Sequence, residues 1–231
     1  MNLTKTAGIP ALWTILSLIL IAMNACNEPV CGYEEPCEER CELFEDFETD
    51  PVGPTTNWLT TAANASIQVQ GGSNTLYLQD LSGGSSAYNT IEFPKNLLEA
   101  GCELHYSVQY LAGSSNATSA PNSINIFTGT SLATATTRAY FELNSGSAIV
   151  SGATPVTIEV PLELASGGAL PSNAFGTWKL IGGSTVPTPA DIAAFNTLIQ
   201  NIDGVGFVVD NGGNPAEEWW YDDFCFWQCC K

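Results

Sequence analysis

The chain has one histidine, His105, and 24 carboxylates against six Lys and Arg, which narrows the chemistry open to it. A serine triad needs an imidazole beside a nucleophile, yet no Gly-x-Ser-x-Gly turn occurs and His105 sits inside a strand-like run. Hydrolysis of a glycoside needs two carboxylates across a cleft, and Glu103 with Glu142, or Glu217 with Asp223, are the pairs to consider. In so acidic a chain, such residues belong mainly to solvated surface. The 21 glycines form no phosphate-cradling loop and are expected to make turns. The expectation is a protein without catalytic activity.

A formal charge of -18 excludes nucleic-acid binding, which needs clustered Lys and Arg, and disfavours anionic membranes. Cations, neutral glycans and basic protein surfaces remain as partners. A sugar site would combine aromatic rings with amides and carboxylates that meet hydroxyl groups. The candidate residues are Trp58, Tyr88, His105, Gln109, Tyr140 and Trp219.

The eight cysteines, Cys26, Cys31, Cys37, Cys41, Cys102, Cys225, Cys229 and Cys230, lie near the two ends except for Cys102. Cys31, Cys37 and Cys41 contain no Cys-x-x-Cys pair and have no His nearby, so disulfides are expected rather than a metal knot. Residues 1–25 read as a signal peptide, because the apolar run Ala11 to Ala25 is short for a membrane span. The mature chain is expected to have no transmembrane span and to be secreted or held at the cell surface. Ile21 to Cys26 resembles a bacterial lipoprotein signal, which would make Cys26 the lipidated first residue. An even cysteine count points instead to simple secretion, and both fates stay open. Residues 26–40 read as an acidic, Cys-containing tether, and Asn27 to Asp50 hold ten of the 24 acids. Asn64-Ala65-Ser66 and Asn116-Ala117-Thr118 are glycosylation sequons.

These side chains must be positioned by a domain spanning residues 41–231. Its middle alternates short apolar runs with Gly, Ser, Asn and Pro turns, which predicts an all-β sandwich. Strands are expected near 58–61, 66–70, 75–79, 89–93, 103–111, 123–127, 138–143, 156–164, 177–181 and 205–209. In Glu103 to Tyr110 the alternation places Leu104, Tyr106, Val108 and Tyr110 in the core and Glu103, His105, Ser107 and Gln109 on an open face. One helix follows Thr188 as cap and Pro189 in its first turn, with Ile192, Phe195, Leu198 and Ile199 as its apolar stripe. The final strand, Glu217 to Trp227, has two largely apolar faces by its period of two. That period groups Trp220, Asp222, Phe224 and Phe226 on one face, and Trp219, Tyr221, Asp223, Cys225 and Trp227 on the other. Its expected neighbour is the acidic first strand, Cys41 to Glu48, which would bring Cys37 and Cys41 within bridging reach of Cys225, Cys229 or Cys230.

The runs Trp178-Lys179-Leu180, Leu198 to Gly204, Val205 to Val209 and Trp220 to Phe226 resemble the closing part of galactose-binding-like jelly rolls. That group includes many carbohydrate-binding modules and the laminin domain IV module. Phe44 to Glu48, followed by Trp58, is similar to their first strand. The resemblance implies a jelly-roll β-sandwich with one short helix and adjacent, disulfide-stapled terminal strands. It also implies a structural Ca2+ held by Asp222 and Glu48, with Asp50, and a non-catalytic role in binding glycan or a cell-surface or matrix protein. A structural or self-associating surface protein is the alternative, and a small glycan-cleaving enzyme is a weaker one.

Overall fold

The computed structural model describes residues 40–111, 119–120, 123–152, 154–210 and 217–229, all within one compact unit, Glu39–Lys231. The chain opens with β1 (Arg40–Glu45), β2 (Gly53–Pro54), β3 (Trp58–Thr61), β4 (Ala63–Gln70), β5 (Ser73–Asp80) and β6 (Ser86–Asn89). A one-turn helix, α1 (Leu97–Ala100), leads into β7 (Glu103–Leu111), β8 (Ser119–Ala120), β9 (Ile124–Thr128) and β10 (Thr137–Leu143). Then come β11 (Ile149–Val150), β12 (Val156–Pro161), β13 (Gly176–Leu180), α2 (Pro189–Ile199), β14 (Gly204–Val208) and β15 (Glu218–Gln228). Among the described residues, no helix is long and apolar enough to cross a membrane.

Two antiparallel sheets face each other. The first, sheet A, runs β12-β7-β15-β5-β4-β2, with β1 also paired to β15; the second, sheet B, runs β13-β10-β9-β14-β6-β3. Local sequence explains much of this. Gly71 and Gly72 both take positive φ, 64° and 107°, which closes the β4–β5 hairpin in a two-residue turn whose twist suits the strands. Thr188 caps α2 in a capping box with Asp191, and Phe195, Leu198 and Ile199 are its buried stripe. β7 alternates as expected, with Leu104, Tyr106, Val108 and Tyr110 buried and Glu103, His105, Ser107 and Gln109 only partly so.

The expected jelly-roll sandwich, with its terminal strands side by side, is the fold observed. Arg40 lies opposite Gln228 and Glu45 opposite Phe224, and Cys41 is bonded to Cys225 across 184 residues. A second disulfide joins Cys102 to Cys229, tying the start of β7 to the end of β15. Cys26, Cys31, Cys37 and Cys230, together with the leader and nearly all of the tether, lie outside the described residues.

Three expectations about the elements are corrected. The last strand does not keep a period of two: Asp223 has φ 53° and forms a bulge between Asp222 and Cys225, which reverses the side-chain alternation. Trp219, Tyr221, Phe224 and Phe226 therefore all point inward and are buried, while Trp220, Asp222 and Trp227 face outward. The strand expected over 89–93 ends at Asn89 instead. The Asn89 Oδ1 accepts from the N–H groups of Ile91 and Glu92, and this turn competes successfully with the ladder. The sandwich also has a second helix, α1, capped by Asn96.

Candidate functional site

β10 places Arg138, Tyr140 and Glu142 on one face, because alternate residues of a strand share a side. That face is the outer side of sheet B. Opposite Tyr140 lie Lys179 on β13 and Asn125 on β9, so ring, ammonium and amide form one row across three strands. A cavity of about 430 Å³ stands over Tyr140, Glu142, Thr177 and Lys179, walled by Leu170 and by residues 183–185. A second, of about 230 Å³, lies over Asn125, Arg138 and Val208 and shares Tyr140 and Glu142 with the first. The two make a groove along the sheet.

Two buried polar atoms of this groove have no hydrogen-bond partner in the protein. Asn125 is 3% exposed; its Nδ2 donates to Ser123 O at 3.2 Å and Gly206 O at 3.5 Å, which fixes the amide orientation. Its Oδ1 is buried without a partner, and so is Nε of Arg138. Burial draws the Arg138 guanidinium below its usual range, with Tyr140 opposing the shift. The Tyr140 hydroxyl is pushed up, first by burial and then by the charge of Glu142. Lys179 Nζ pairs with Glu142 Oε2 at 3.7 Å at the groove's edge. An aromatic face flanked by an amide acceptor, a guanidinium, a carboxylate and an ammonium suits a polyhydroxylated ring. A larger hollow of about 550 Å³ beside the Cys102–Cys229 bridge has no aromatic lining.

Of the six residues expected to meet a sugar, only Tyr140 lines this groove. Trp58 and Trp219 are corrected to core residues, at 4% and 0% exposure. Trp58 stacks on Phe207 at 5.7 Å between ring centroids, and Trp219 donates from Nε1 to Val209 O at 2.9 Å. Tyr88 does face outward from sheet B, but the turn carrying Leu132 buries it against Phe127. His105 and Gln109 lie on the outer face of sheet A. There His105 stacks on Trp227 with ring centroids 5.2 Å apart and meets Glu103 at 2.8 Å, while Gln109 accepts from Gln70. The groove residues missing from the candidate set are Asn125, Arg138, Glu142 and Lys179. A usable signal existed: Arg138 and Lys179 are two of only six basic residues, and Arg138 shares a strand face with Tyr140.

The acids named for catalysis do not pair. Glu103 belongs to sheet A and Glu142 to the outer face of sheet B, while Glu217 is fully buried and Asp223 is exposed on the bulge.

The Ca2+ expectation has a partial geometric basis. Asp222 lies on the outer face of β15, and its carboxyl is pushed up to about 7 by burial, then by the charges of Asp223, Glu48 and Asp46. Glu48 Oε1 accepts from Asn74 N at 3.1 Å, which fixes it at the start of β5. Asp50 enters through its backbone oxygen, which accepts from Asn74 Nδ2 at 3.2 Å, while its carboxylate acts on Glu45. The half-buried Asp222 carboxylate, with the charges of Asp223, Glu48 and Asp46 acting on it, is oxygen-donor chemistry of the kind a hard dication takes.

No protein-family model matches the sequence, and no curated protein matches it. In structure the chain is similar to an exo-beta-agarase, with a TM-score of 0.51 and 14% identity over 79% of this chain and 24% of the agarase. A second agarase gives a TM-score of 0.52 and 13% identity over 82% of this chain and 25% of that one. The chain thus spans about a quarter of each agarase. The family 11 carbohydrate-binding module of a Clostridium thermocellum cellulosomal cellulase aligns at a TM-score of 0.48 and 12% identity, covering 83% of this chain and 96% of the module. The likeness to the agarases is one of fold, in agreement with the sheet order and the paired terminal strands.

Proposed function

We propose that this chain is a non-catalytic carbohydrate-binding module that receives a neutral glycan in the groove over Tyr140. One observation carries the reading: Asn125 Oδ1 and Arg138 Nε are buried without partners beside the Tyr140 ring, in the same groove. A buried polar atom left unpaired is costly, and a sugar hydroxyl that reaches it recovers the lost hydrogen bond. The chain's charge of -18 selects against anionic polymers. The fold shared with a stretch of two agarases favours agar-type galactans as the first glycans to test.

The two disulfides belong to an oxidising compartment, so the module acts outside the cell, free or anchored through Cys26. Glu48 and Asp222 hold a structural Ca2+ that offsets the charge gathered where the first and last strands meet. An array of neutral polysaccharides that includes agarose tests the reading. Selective retention of the chain, lost in Tyr140→Ala, is expected; uniformly flat responses from the unaltered chain contradict it.

A further inference from the structure

At the far end of β5 from Glu48, Asp80 closes the strand with its side chain fully buried. Its backbone N–H donates to Glu217 O at 2.9 Å, which brings the start of β15 alongside. Glu217 is also fully buried, and its Oε1 accepts from the Tyr110 hydroxyl at 3.3 Å. Asp210, just beyond β14, completes the set, with Oδ2 accepting from Gly84 N at 2.6 Å. One carboxylate oxygen from each of Asp80, Asp210 and Glu217 lies within 4.8 Å of the other two.

Asp80 has one oxygen that its neighbours leave without a partner. Its Oδ1 accepts from Ser82 N at 2.9 Å and from the Ser85 hydroxyl, while Oδ2 is buried with no hydrogen-bond partner. Among the described residues, no Lys or Arg pairs with Asp80. Carboxylates this close repel one another, and Asp80 and Glu217 have left water while Asp210 is half-buried, so a dication reached by the unpartnered Asp80 Oδ2 offsets both costs. Oxygens around one calcium ion sit about 2.3–2.6 Å from it, hence up to about 5 Å from each other, which this cluster satisfies.

We propose that Asp80, Asp210 and Glu217 form a calcium-class dication site that clamps the end of β5, the turn at Ser82 to Ser85, the end of β14 and the start of β15. The site is separate from Glu48 and Asp222, and it stands whether or not the groove binds glycan.

The structure supplies its own probe. Trp219 lies against Tyr110 with ring centroids 4.3 Å apart, and Tyr110 donates to Glu217, so light absorbed by this pair sensitises a terbium ion held there. The measurement uses the whole chain with its disulfides formed, stripped by chelator, in an Asp222→Asn background that silences the other acidic cluster. Terbium emission is expected to saturate, to be displaced by Ca2+, and to lose affinity by more than about tenfold on further change of Asp80→Asn. Asp80→Asn preserves the shape of the side chain, and Glu217→Gln, which leaves the Asp80 turn intact, must give the same loss. The Ca2+-dependent rise in Tm must disappear with it. Absence of saturable emission, or unchanged emission in both variants, overturns the site.

Discussion

Phe47 and Phe224 meet edge to face, with ring centroids 6.1 Å apart and planes at 86°. One ring comes from the turn after the first strand and the other from the last strand, so this contact joins the chain's two ends. Phe44 repeats the arrangement against Phe226 at 5.3 Å. Phe224 also packs on Tyr106 and Phe207, which carries the terminal seam into the space between the sheets.

The seam is locked by Cys41–Cys225, which closes a loop of 184 residues. Cross-linking so long a loop restricts the unfolded chain more than the folded one. Cys41→Ser is expected to lower unfolding free energy by about 2–5 kcal/mol, read by denaturant titration without reductant. Because the aromatic packing persists, the variant should still fold.

The bulge at Asp223 gives a second test. A non-glycine residue at φ 53° carries backbone strain that glycine does not. Asp223→Gly should therefore be neutral or stabilising, by up to about 1 kcal/mol in thermal or denaturant unfolding. Marked destabilisation would mean that the Asp223 side chain, rather than the bulge geometry, holds this turn.

Asp222 makes stability depend on pH. Its carboxyl is raised from 3.8 to about 7 in the folded chain, chiefly by burial. The protonated form is thus favoured by folding, so its contribution is fully present below pH 3.8 and is lost as pH rises through about 7. Relative to Asp222→Asn, the unaltered chain without Ca2+ should lose stability between these values, seen as a Tm difference that widens with pH. Saturating Ca2+ should narrow that difference, since a dication beside Glu48 and Asp222 favours the ionised form.

Much of this architecture is legible in the residues, and the exceptions have physical reasons. β7 alternates without interruption, so its buried and open faces follow directly from Leu104, His105 and their neighbours. β15 misleads because one bulge residue exchanges the faces of everything after it, and Asp223 looks unremarkable in the sequence. The groove is harder still to foresee. Its floor comes from three strands whose order, β13-β10-β9, is not their order in the chain, and its wall comes from the segment before α2. Trp58 and Trp219 had the right chemistry for a sugar platform, but the inner faces of both sheets needed large rings and took them.

The glycan reading places binding on sheet B and leaves sheet A aside, although sheet A also presents outward rings, Tyr77 and Trp220, 4.9 Å apart. The most direct test is calorimetric titration of the best-retained neutral oligosaccharide into the unaltered chain, Tyr140→Ala and Trp220→Ala in parallel. Loss of one stacking ring from the true site should weaken binding by about tenfold or more, a free-energy change of about 1.4 kcal/mol. The account predicts that loss for Tyr140→Ala with Trp220→Ala unchanged; the reverse pattern would contradict it.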